Sequence, residues 1–256
     1  MLSLISPAKS QNFKDKAQVL EFSLPLFEKE IGQLVKIASK LSPDEISTLM
    51  SISDKLSHDV WQMYHQFEKN FTLKNAKQAL FAFNGDVYRS LNAHSLKPKE
   101  VEFAQSHLMI ISGLYGLLRP LDLMQSYRLE MGLKLDISGK NLYQFWQEKL
   151  TSYLNDVLEN HKNKIVINLA SQEYKKAINH KKINAIWIDV DFKEYRSGKY
   201  KTIGILAKRA RGLMARFIIE NKIDNLNGIK KFDVDGYFLN QKLSKENHFV
   251  FSRKEI

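Results

Sequence analysis

The chain is 256 residues long and 44% hydrophobic, enough for a sizeable core, and its lack of cysteine excludes disulfides, thiolate metal sites and cysteine nucleophiles. Its formal charge of +11 is concentrated: residues 1–160 carry 18 basic and 18 acidic side chains, residues 161–222 carry 15 against 5, and residues 223–256 carry 6 against 5. A field localised in that way attracts phosphates or an anionic membrane surface, which makes nucleic acid the first partner to consider.

Taken in order, the first apolar run, Leu2–Ile5, is too short for a signal peptide and reads as a buried strand closed by Ser6-Pro7, with Lys9 just beyond. Ser6 and Lys9 have the spacing of a serine/lysine acyl-transfer pair, but the further motifs of those enzymes are missing, so Lys9 is taken as an anion contact. Residues 25–125 form a mostly helical insert. Within it Ser42-Pro43-Asp44-Glu45 is a capping box, Leu80–Phe83 reads as a strand, and Asn84-Gly85-Asp86 turns into a short helix carrying Val87, Tyr88 and Leu91, with Asp86 as its cap. His58 and His65 have no third ligand at metal-binding spacing.

From Pro98 a helix is expected with Val101, Ala104, Leu108 and Ile111 on one face, stopping at Ser112-Gly113-Leu114-Tyr115-Gly116, and a second helical segment covers Leu117–Met124. Two helices around a glycine-bracketed turn present backbone N–H groups to a phosphate, although a plain interhelical turn has the same pattern. Leu142–His161 is a long amphipathic helix. Lys164–Leu169 reads as a buried strand, and Ile183–Tyr195 returns through Ser197-Gly198 to Lys199–Ala207 as a hairpin. Asp189 and Asp191 share one strand face, where pairing with lysines is favoured over a metal. Lys208–Asn221 is a basic amphipathic helix, with Ala210, Leu213, Met214, Phe217 and Ile218 opposite Lys208, Arg209, Arg211 and Arg216. Gly212 and Ala215 fall in its basic arc, where a polyanion gains close approach to the backbone. Gly236–Leu239 and His248–Phe251 close the sheet. No nucleotide-binding glycine loop, zinc cluster or Ser/His/Asp signature occurs, no membrane-spanning length is reached, and neither cofactor nor metal is expected.

Ser6-Pro7-Ala8-Lys9, Gly85-Asp86-Val87-Tyr88, Ser112 to Gly116 with Leu118-Arg119-Pro120-Leu121-Asp122, Tyr127 to Gly132, Asn168 to Ser171 with Glu173-Tyr174, and Arg211-Gly212-Leu213-Met214 resemble the YaaA family of bacterial peroxide-stress-resistance proteins. The blocks span almost the whole chain, in order. The resemblance implies a cytoplasmic protein of one mixed α/β (α+β) domain over residues 1–256, with a mixed central sheet packed by helices, a basic cleft and a helix-hairpin-helix that binds DNA. It places the hairpin at Gly113, Tyr115 and Gly116 and cleft cations at Lys9, Arg119, Lys208, Arg209 and Arg211, to which the basic helix adds Arg216. The expected partner is double-stranded DNA, bound independently of sequence. The alternative is an enzyme for a small phosphorylated or carboxylated substrate, with Lys9, Arg119 and Asp122 as its polar groups.

Overall fold

The computed structural model describes residues 1–15, 17 and 19–254. In chain order these form β1 (Leu2–Ile5), α1 (Glu28–Ala38), α2 (Pro43–Met50), α3 (Asp54–His65), β2 (Lys77–Gln78), α4 (Ala79–Ala82), α5 (Asp86–Leu91), α6 (Pro98–His107), β3 (Leu108–Ser112), β4 (Gly116–Leu118), β5 (Leu123–Met124), α7 (Leu142–Glu159), β6 (Ile165–Asn168), α8 (Gln172–Lys175), β7 (Ile186–Arg196), β8 (Lys199–Lys201), α9 (Gly204–Glu220), α10 (Leu226–Ile229), β9 (Phe238–Leu239) and β10 (His248–Lys254). An 8-stranded mixed sheet runs β4-β3-β1-β6-β7-β10-β9, with β8 paired to the far end of β7. Strands β3, β1, β6, β7 and β10 are parallel, in registers such as Leu4↔Met109, Leu4↔Asn168 and Ile167↔Ile188. Helices cover the inner parallel strands, and accordingly Leu2, Leu4, Ile5, Ile110, Val166, Ile167 and Ile188 are fully buried without alternation. No helix of the described residues is long and apolar enough to cross a membrane.

Several expectations change. Leu80 to Ala82 lie in the short helix α4, whose side chains are all buried, so a fully apolar run looked like a strand. The helix from Pro98 stops at His107, and Leu108–Ser112 continues as β3. That run is apolar from Leu108 to Ile111 and buried throughout, and it fits a helical period only because it fits any period. Leu117–Met124 likewise holds β4 and β5, not a helix. The turn between β3 and β4 therefore joins two antiparallel strands, with Ser112 paired to Gly116, and no helix-hairpin-helix stands at this place. The basic helix starts at Gly204, which shortens the hairpin's return strand to Lys199–Lys201.

Candidate functional site

From β1 the chain crosses to β3 on one side and later returns to β6 on the other. Such a reversal opens a crevice beyond the carboxyl ends of the two strands, where open α/β sheets hold their ligands. A cleft of about 310 Å³ lies there, lined by the loop after β1 (Ser6 to Ser10), the start of α5 (Asp86 to Arg89), Glu130, the loop after β6 (Leu169 to Tyr174), and Lys208 and Arg211 of α9. The walls are tied to one another. Ser171 N donates to Ser6 Oγ at 2.8 Å, the Tyr88 hydroxyl donates to Ser6 O at 2.9 Å, and Asn84 N donates to Ser10 O at 2.9 Å.

The charges inside are both signs. Lys9 Nζ and Arg128 Nη2 approach the same carboxylate oxygen, Glu130 Oε1, at 3.0 and 3.3 Å, leaving Glu130 Oε2 buried with no hydrogen-bond partner. Arg211 Nε is also buried without a partner, and burial pushes its guanidinium below the ordinary value while Asp191 opposes the shift. An arginine keeps its proton under such a shift, so the cleft retains a poorly solvated cation. Among the described residues neither Arg211 nor Lys208 makes a salt bridge. Asp86 sits at the rim, held by Arg89 at 3.1 Å and approached by Arg209 Nε at 3.7 Å. Gly85 takes the cap position, so Asp86 is not the cap of α5 but stands in its first turn, lining the cleft.

The expected residues part company here. Lys9, Lys208 and Arg211 line the cleft and Arg209 stands at its rim. Ser6 and Lys9 do not form a nucleophile and base, because Ser6 Oγ meets Ser171 and Lys9 is engaged by Glu130. Arg119 and Asp122 are bonded to each other at 2.8 Å, with Asp122 fully buried. Arg119 lines a separate hollow beside Met1, at the opposite end of the strands, so the pair cannot act together with Lys9. Arg216 is structural: its guanidinium donates to Leu91 O at 2.8 Å and Asn92 O at 3.0 Å and pairs with Glu220 at 2.7 Å. Gly113, Tyr115 and Gly116 are buried. A Cβ on Gly113 meets Leu129 O at 2.2 Å, and one on Gly116, whose φ is +69°, meets the Trp146 ring at 2.6 Å; these glycines admit neighbours, not a phosphate. Gly212 and Ala215 are also buried rather than open to a polyanion, Gly212 because α5 crosses α9 there.

Glu130, Glu173, Tyr88, Tyr174 and Ser171 were not expected as site residues. Their signal lay in the blocks of the family resemblance: five of those six blocks, separated by up to two hundred positions, converge on this cleft, and only the Ser112–Asp122 block lies elsewhere. Helices α2 and α3 are joined by the three-residue hairpin Ser51-Ile52-Ser53, its serines exposed and Ile52 packed on the core, with Ser51 in the left-handed region at φ 51°, an arrangement that no glycine marks in the sequence. Asp189 accepts from Asn168 at 2.8 Å and pairs with Lys175 at 2.5 Å, and among the described residues no group of three or more potential ligands gathers for a metal.

The profile of the family described as peroxide stress protein YaaA matches residues 1–243. The chain is 50% identical over 254 residues to "UPF0246 protein" of Francisella philomiragia and, at the same identity, to proteins of that name in Francisella tularensis subspecies tularensis and novicida, covering 99% of this chain and 100% of each relative. The chain belongs to the YaaA family of peroxide stress proteins.

Proposed function

We propose that this protein serves the peroxide stress role of its family by binding DNA without sequence preference, along the basic edge that surrounds the cleft. The observation that carries this reading is breadth. Strand β7 runs on from Val190 to Arg196 past its last pairing with β6, roughly 20 Å at about 3.3 Å per residue, and folds back as β8. Exposed Lys199, Lys201, Lys208 and Arg209 then follow one another along the chain into α9, with Lys9 and Arg211 behind them. Duplex DNA carries a charge about every 1.7 Å of its axis, so an edge of that length meets several phosphates. Phosphate contacts position a protein and carry no base information. The Ser51–Ser53 hairpin supports a second contact, since the Ser53 side chain leaves the first amides of α3 uncapped, although Asp54 beside them works against an anion.

Charge reversal tests the reading. In the double variant Lys208→Glu/Arg209→Glu, gel shifts on two unrelated duplexes should weaken equally, while the melting temperature stays near that of the parent because both side chains are exposed. Unchanged affinity in the folded double variant overturns it. A second reading, an enzyme for a small phosphorylated or carboxylated substrate, is favoured by one specific observation: the cleft's volume suits a single small ligand, and carboxylates face its cations.

A further inference from the structure

We propose that the cleft binds one nucleotide unit, with its phosphate against Arg211 and Lys208 and an N–H edge of its base against Glu130. The inference deepens the DNA-binding reading, on which it rests for the identity of the ligand. A simple anion fills only half of the site: it satisfies Arg211 but meets the Glu130 carboxylate, whose Oε2 is buried and lacks a donor. A simple cation satisfies Glu130 and meets Arg211 and Lys208. Buried polar atoms without partners are rare in folded proteins, and of the five among the described residues the two that belong to cleft-lining residues, Glu130 Oε2 and Arg211 Nε, call for a ligand that is an oxyanion at one end and a donor at the other.

Lys9 and Arg128 already engage Glu130 Oε1, which orients the carboxylate with its second oxygen left over. A carboxylate oxygen so placed accepts the amino N–H of guanine, adenine or cytosine, or the ring N–H of guanine. The mostly buried Tyr88 and Tyr174 line the wall beside these groups. A duplex does not enter about 310 Å³, whereas one nucleotide matches a pocket at the lower end of the ligand range. The unit is either a nucleotide extruded from DNA held on the basic edge or a free one, and the chemistry that recognises it is the same.

Calorimetry on the purified protein with dGMP, deoxyguanosine and inorganic phosphate, beside gel shifts with duplex DNA, tests this. On the parent protein dGMP should bind at least about tenfold more tightly than either half alone. Glu130→Gln should remove that advantage while leaving phosphate binding nearly unchanged, and Arg211→Met should weaken both. The comparison on the parent protein decides the matter even if a variant fails to fold. A duplex carrying 2-aminopurine separates the sources: if its emission rises with protein, the unit comes from DNA, and if it stays quenched while dGMP binds, the unit is a free nucleotide. Either result upholds the site. Equal affinity for dGMP and phosphate overturns it whether or not DNA is bound, and loss of DNA binding with dGMP binding intact overturns only the DNA reading.

Discussion

Gly212 joins the stability of the fold to the shape of the cleft, and replacing it by alanine exposes the connection. In an unpacked helix that change is stabilising by about 0.8–1.0 kcal/mol, because glycine carries the larger entropic cost. Here a Cβ on Gly212 meets the backbone oxygen of Val87 at 2.1 Å and Ser90 Cβ at 2.9 Å. Ordinary C···O separations exceed the first distance by roughly 1 Å, and a backbone oxygen cannot swing aside as the end of a side chain does. Helix α5 must therefore withdraw from α9 at an overpacking cost of about 3 kcal/mol, which leaves a net loss of about 2 kcal/mol. For a chain of this size that is about 4–8 °C in melting temperature. Asp86 and Tyr88 move with α5, so ligand affinity should fall as well. Gly32 is the control: it is exposed in α1 and a Cβ there meets nothing within 4 Å, so Gly32→Ala should raise the melting temperature by about 2–4 °C. Calorimetric melts of the two variants give the answer. A Gly212→Ala protein as stable as Gly32→Ala would refute the close crossing of α5 and α9.

Arg119→Ala should cost about 2–3 kcal/mol, because it strips the main partner from the fully buried Asp122 carboxylate, whose pKa burial already raises against the pull of Arg119 and Ser23. DNA affinity of the folded variant should not change, since Arg119 lies at the other end of the strands; a selective loss of binding measured by gel shift would return Arg119 to the interface. The His161 imidazole is held down to about 4 by burial first, and then by the Met1 amine and His107. An unfolded chain takes up that proton near pH 6.5 and the folded one only near pH 4, so stability should decline as pH falls through this window, and His161→Gln should flatten the decline in melts recorded at stepped pH. Identical pH profiles for the two proteins would contradict that account.

Much of the fold was legible where sequence and environment agree. The capping box at Ser42 forms with Glu45, α7 begins at Leu142 as its pattern requires, and β1, β6, β7 and β10 fall on their apolar runs. The misreadings share one cause. Leu80 to Ala82 and Leu108 to Ser112 are buried on all sides, and a segment without a polar face has no period to report its structure. For the site, charge density led to Lys208 and Arg211 but also to Arg216, because composition does not show that Leu91 and Asn92 offer carbonyl oxygens to that guanidinium. Glycine misleads twice: Gly113 and Gly212 suggest room for a phosphate, whereas Leu129 and Val87 occupy that room. Glu130 was invisible as a site residue because its role depends on Lys9, more than a hundred positions earlier, arriving on one of its oxygens and leaving the other bare.

The dependence of duplex affinity on salt tests the DNA-binding claim most directly. Each phosphate neutralised contributes about −0.9 to the slope of log K against log salt, so engagement of the exposed Lys199, Lys201, Lys208 and Arg209 predicts a slope of about −3.6, reduced by nearly two units in Lys208→Glu/Arg209→Glu. A slope near zero for the parent protein would contradict the claim and leave the cleft as the site of a small ligand alone.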